Sequence, residues 1–229
     1  MVSSAPVAAP AVAGAVSRPW TYIALVEVVL GGAAVLLDLL IPSLVLLVLA
    51  TVSLGIRRQG LGSLGLVRPT RDHLVIGTAT FAVLWSVFQL AVTIPVANHL
   101  SGRRQDMGVF EDVEGNLGLL LVLVLLSWTL AAFVEEVAFR GFLFTRLQQV
   151  AGHTRAGTLV AVLASSGLFG ALHSEQGMVG VVIVALDAMA FCVLRLHFGT
   201  LWAPVLAHGF NNTLGLVTFF FAGPLYGLW

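Results

Sequence analysis

Polar interruptions in apolar runs define the elements of this chain. A helix that crosses a ~30 Å hydrocarbon layer needs roughly 20 apolar residues at 1.5 Å each. The run from Trp20 to Leu54 is too long for one such helix, and Asp38 and Pro42 interrupt it. The pattern therefore predicts a helix over 20–39 and a shorter one over 42–55. Further helices are expected over 73–97, 116–147, 157–174, 177–195 and 199–222, with 116–147 long, tilted or broken near Gly141. Residues 1–19 are rich in Ala, Pro and Val and carry no basic stretch ahead of an apolar core. They read as a disordered tail before an uncleaved first span. The expected fold class is all-α, a polytopic transmembrane helical bundle of about seven spans (six to eight). Its organisation is a tail over 1–19, N-terminal transmembrane helices and loops over 20–115, a core over 116–222 and a short C-terminal tail over 223–229.

Composition agrees. Of the residues, 59% are hydrophobic and 10% charged, and the mean hydropathy is +1.01. A soluble domain is about half apolar and about a quarter charged. The formal net charge of zero lacks the clustered basic surface of a nucleic-acid binder. The single Cys192 excludes an internal disulfide or a cysteine zinc cluster and reads as a small packing residue.

The arginines give an orientation. With the N-terminus inside, Arg18, Arg57, Arg58, Arg68, Arg71, Arg146, Arg155 and Arg195 fall on the cytoplasmic side, and only Arg103 and Arg104 fall outside. That is the asymmetry expected of a multi-pass protein of the cell membrane with a cytoplasmic N-terminus. The stretch 56–72 alternates arginine with Leu, Val and Ile and is expected to lie along the inner leaflet, near anionic lipids.

Charged side chains inside a bilayer are costly and mark function. Three clusters stand out: FVEEVAFRG with Glu135, Glu136 and Arg140; LFGALH with Phe169 and His173; LAHGFNN with His208, Asn211 and Asn212. Glu136 and Arg140 are spaced i,i+4 with the acid first, the better orientation for an ion pair. Glu135 points about 100° away from Glu136. Phe169 and His173 share one helix face, as do His208 and Asn212. Counted from the cytoplasmic helix ends, Glu135 lies ~18 Å deep, His173 ~24 Å, His208 ~14 Å and Asn212 ~20 Å, a spread that helix tilt absorbs.

Glu, two His and Asn from three helices can thus meet at one level within the bilayer. A carboxylate and an imidazole can deprotonate one water, while a second His with an Asn can stabilise an oxyanion. Alternatively, Glu135, His173 and His208 form a three-ligand zinc set with water in the fourth position. Both routes end in hydrolysis, and whether a divalent metal is required stays open.

In this order and on successive hydrophobic segments, EEVAFR fits EExxxR, FGALH fits FxxxH and HGFNN fits HxxxN. The chain resembles the CPBP family of intramembrane proteases, the CAAX-protease and bacteriocin-processing group, over roughly residues 116–222. The resemblance implies an endopeptidase acting on a membrane-associated peptide or protein. In it, Glu135 and His173 activate water, and His208 and Asn212 form the oxyanion site. Glu136 and Arg140 shape the first motif, and Phe169 packs beside the water. The family is commonly labelled metalloprotease, and a metal-free glutamate-dependent mechanism is also proposed for it.

The rival readings are an ion- or proton-coupled transporter, which would also carry buried Glu, His and Asp, and a non-catalytic membrane or immunity protein of the same fold. Absence of a visible internal repeat argues against the first, and the intact motifs argue against the second. The site is expected to open toward the cytoplasmic side. Expected partners are membrane lipids and a peptide or protein substrate, with no nucleic acid. Asp187, in the middle of a helix, is a candidate to hold a donor behind the site. Glu27 and Asp38 are expected near interfaces or facing other helices. His73, His99, His153 and His197 sit at span ends and carry no signal.

Overall fold

Pro42 opens a helix at its first turn, where its missing N–H costs nothing, and so splits the long N-terminal apolar run in two. The first helix, α1 (Arg18–Leu36), and the second, α2 (Pro42–Arg57), form a hairpin. The turn between them holds Asp38 and Leu40 at positive φ. After it come α3 (Leu74–Ser101), α4 (Leu117–Ala151), α5 (Arg155–Ala171), α6 (Gly177–Phe198) and α7 (Trp202–Ala222). This computed structural model describes residues 18–223. Most of both expected tails lies outside that range, although Arg18 and Pro19, assigned to the tail from sequence, begin α1.

The described residues contain no strand, and every expected helix is present. Five are long and apolar enough to cross a membrane: α1, α3, α4, α7, and α6 with the turn that leads into it. With 16 and 17 residues, α2 and α5 are shorter, so seven helices do not amount to seven demonstrated spans. The outer faces are apolar. Val29, Val48, Leu121, Leu125 and Val193 are each more than half exposed, as expected of a surface that meets lipid.

Of the forms expected for 116–147 the long one is found: α4 runs 35 residues, unbroken through Gly141, with a π-helical winding over Ser127–Leu143. One expectation is corrected. The stretch 56–72 does not simply lie along a surface. Leu64 is fully buried, Leu201 donates its N–H to the carbonyl of Gly65, and Thr200 donates its hydroxyl to the carbonyl of Val67. Gly65 sits at φ +94°, and a Cβ there would meet the Arg195 guanidinium at 3.4 Å, a position that disfavours any side chain. This stretch closes the arginine-bearing end of the bundle beneath α4 and α7.

Segment 102–116 closes the other end. There Gln105 donates to Gln176, Asp106 N–H donates to the Gln176 carbonyl, and Gly115 N–H donates to the Phe220 carbonyl. The π-helical part of α4 packs against α2 and α7 and forms the centre of the molecule.

Candidate active site

The site is built around the π-helical turn. Every residue from Glu136 to Phe144 is buried, because helices surround this segment. In an i→i+5 winding a residue lies one turn beyond the positions both four and five before it, which places Arg140 above both Glu135 and Glu136. Arg140 pairs with Glu136, Nη1 to Oε1, at 3.1 Å. Glu135 is within electrostatic reach of Arg140, Glu136 and Glu175, and its Oε2 is buried without a hydrogen-bond partner. Of the two carboxylates, Glu136 is the one that forms the ion pair with Arg140.

From α7, His208 reaches the same Glu136. Its Nδ1 lies 2.9 Å from Glu136 Oε1. The carboxylate accepts, so Nδ1 carries the proton; in the neutral ring Nε2 is then an acceptor, and it becomes a donor only in the imidazolium. Helix α7 approaches closely because residue 209 is glycine. A Cβ there would meet the Trp128 ring at 2.6 Å. Asn211 accepts from Ser86 of α3 at 2.8 Å. Asn212 is half-buried and makes no side-chain hydrogen bond among the described residues.

Phe169 is the hub of the ring contacts. Arg140 stands 4.0 Å above it, His173 lies 5.0 Å from it and His208 6.1 Å, centroid to centroid. Helix α5 ends at Ala171, so His173 belongs to the following turn and not to a helix face. Its Nδ1 lies 3.0 Å from the carbonyl of Phe169, which can only accept, leaving Nε2 free as a base in the neutral ring. At 17 residues α5 reaches only ~25 Å. The His173 turn can therefore sit below a bilayer surface, where Gln176 donates its N–H to the His173 carbonyl and accepts from Gln105.

This turn lies at the end of the bundle opposite Arg57, Arg58, Arg146, Arg155 and Arg195.

Sequence reading missed three groups. Phe191 stacks on His208 at 5.2 Å and nearly parallel, at 24°. Its only signal was an aromatic residue four positions after Asp187. Glu175, two residues beyond His173, is exposed and acts electrostatically on both Glu135 and His173. Trp85 and Gln89 of α3 both donate to Asp187 Oδ1, at 2.6 and 2.5 Å. Asp187 does hold donors, though they tie α6 to α3 and not to the motif residues.

The described residues contain no group of three or more His, Cys, Asp or Glu placed to hold a metal ion. Glu135, His173 and His208 are not gathered around a common centre among the described residues. The zinc set Glu135, His173 and His208 does not fit this arrangement. Instead, Glu135 Oε2, Glu136 Oε2 and both terminal nitrogens of Arg140 are buried without a satisfactory hydrogen bond. So many unsatisfied polar atoms in one place mark a centre completed by water or by a substrate's polar groups.

An all-helical, multi-pass membrane protein with this polar centre is defined by fold and site together. Residues 117–214 match the family of type II CAAX prenyl endopeptidase Rce1-like proteins. The matched stretch, a little under half of the chain, contains all seven motif residues, from Glu135 to Asn212. The match points to a CAAX-type protease. No curated protein and no solved structure matches the chain.

Proposed function

We propose that the chain is an intramembrane endopeptidase that hydrolyses a peptide bond of a membrane-associated peptide or protein, with Glu135 as the water-activating carboxylate. The observation that carries this reading is the buried, unpaired Glu135 Oε2 beside the Glu136–Arg140–His208 cluster, inside the stretch that matches the Rce1-like family.

In this reading Glu135 takes the proton of the attacking water. His173, fixed by Phe169 so that Nε2 is free, accepts or relays it. Glu136 holds His208 through Nδ1, which leaves Nε2 turned to the developing oxyanion as a donor whenever the ring is protonated. Asn212, with no competing bond, is the second donor. Glu136 thus has a role beyond pairing with Arg140: it fixes the ring that faces the reaction. The orientation we infer has the N-terminus cytoplasmic in the cell membrane, so reporter fusions at residues 65 and 108 should read inside and outside respectively. A cytoplasmic signal at 108 would reverse it.

The test is hydrolysis by purified protein in detergent of a prenylated CAAX peptide and its unprenylated counterpart, run in ¹⁸O water with and without a chelator. One ¹⁸O in the new carboxyl group is expected, with activity surviving chelation, because the donors do not assemble a metal site. Loss of activity on chelation, restored by zinc, would contradict the metal-free part. Failure to cleave either peptide would count against this substrate class.

A further inference from the structure

Two arginines at the arginine-bearing end compete for one carboxylate. Arg57 of α2 and Arg146 of α4 both reach Glu27 Oε2, at 2.9 and 3.0 Å, with side chains 5% and 4% exposed. Both also bond Ser53 Oγ, at 3.2 and 3.0 Å. Arg57 further donates to Gln149 at 3.2 Å, and Gln149 donates to the carbonyl of Trp20. The cluster therefore carries one net positive charge away from water, and Arg146 Nε makes no satisfactory hydrogen bond.

A buried charge without a full partner is unfavourable and is normally compensated. Beside it lies a cavity of about 270 Å³, lined by Trp20, Arg57, Arg146, Gln149, His153 and Thr145 among others. Arg57 lies 4.8 Å from the Trp20 ring, near the start of α1, where tryptophan marks the headgroup level.

We propose that this cavity binds a phosphate anion, carried by the headgroup of an anionic phospholipid or present as free phosphate, on Arg57 and Arg146. A phosphodiester has the single negative charge that neutralises the cluster, and guanidinium forks match phosphate oxygens. Basic pockets between transmembrane helices are the usual place for such headgroups. The cavity is separate from the Glu135 centre, so the proposal stands independently of the protease reading.

The probes are phosphatidylglycerol, phosphatidylcholine and inorganic phosphate, each added to the detergent-solubilised protein and followed by native mass spectrometry. Arg57→Gln keeps the Glu27–Arg146 pair and removes the net charge, and Arg103→Gln at the opposite end is the control. Phosphatidylglycerol is expected to bind at least about tenfold tighter than phosphatidylcholine, about 1.4 kcal/mol. Arg57→Gln should erase that preference and Arg103→Gln should not. Displacement of the lipid by inorganic phosphate would identify free phosphate as a second source of the same ligand; no displacement would identify the lipid alone.

Equal retention of both lipids by the wild type, with no binding of inorganic phosphate, overturns the proposal. So does an unchanged preference in folded Arg57→Gln. Should that variant fail to fold, the wild-type comparison decides alone.

Discussion

His208 Nδ1 donates to Glu136 Oε1 at 2.9 Å, joining two helices whose residues stand 72 positions apart in the chain. Because the same oxygen also receives Arg140 at 3.1 Å, one buried carboxylate anchors a cation and orients an imidazole. Structure and chemistry are coupled there: whatever disturbs Glu136 disturbs both the fold and the ring.

Glu136→Gln leaves Arg140 as an uncompensated charge in a site where it is 1% exposed. Removing one partner of a buried pair costs about 3–5 kcal/mol. Thermal unfolding in detergent should show that loss together with a fall in hydrolysis. The double variant Glu136→Gln/Arg140→Gln should recover stability without recovering activity. If Glu136→Gln keeps full stability, the pair is not the anchor described here.

Gly209→Ala places a methyl group against the Trp128 ring, which is rigid and also donates its Nε1–H to Thr213 at 3.0 Å. Either α7 or the ring must move, at a cost of roughly 1–3 kcal/mol, as for overpacking elsewhere. His208 is adjacent, so kcat should fall more than the stability loss alone explains. Unaltered kinetics in a folded variant would show that close contact here does not set the position of His208.

Asn212→Ala removes the proposed second oxyanion donor while breaking no side-chain hydrogen bond among the described residues. It should lower kcat ~10²–10³-fold with little change in KM and little change in unfolding temperature. A raised KM at constant kcat would instead assign Asn212 to substrate binding.

The helix series was legible in the chain because membrane helices announce themselves by uninterrupted apolar length, and Pro42 by its missing donor. The Glu136–Arg140 pair was legible from spacing alone. Three features were not. The π winding of α4 leaves no pattern in SWTLAAFVEEVAFRGFL. The bond from His208 to Glu136 depends on how α7 crosses α4, which Gly209 and Trp128 fix at long range. His173 looked helical because FGALH fits an i,i+4 face; the chain leaves the helix at Ala171, and the carbonyl and ring of Phe169 hold the imidazole in place. The burial of Leu64 was likewise hidden, because arginines on both sides made its segment resemble a surface stretch.

The account rests most heavily on Glu135, and one comparison tests it: peptide hydrolysis by Glu135→Gln beside the wild type, with unfolding temperature measured on the same samples. Glutamine has nearly the same shape, and Glu135 Oε2 makes no hydrogen bond whose loss would weaken the fold. The unfolding temperature should hold while hydrolysis falls ~10²–10⁴-fold, the contribution of a positioned general base. A folded Glu135→Gln that cleaves at the wild-type rate would contradict the assignment of this carboxylate as the group that activates water.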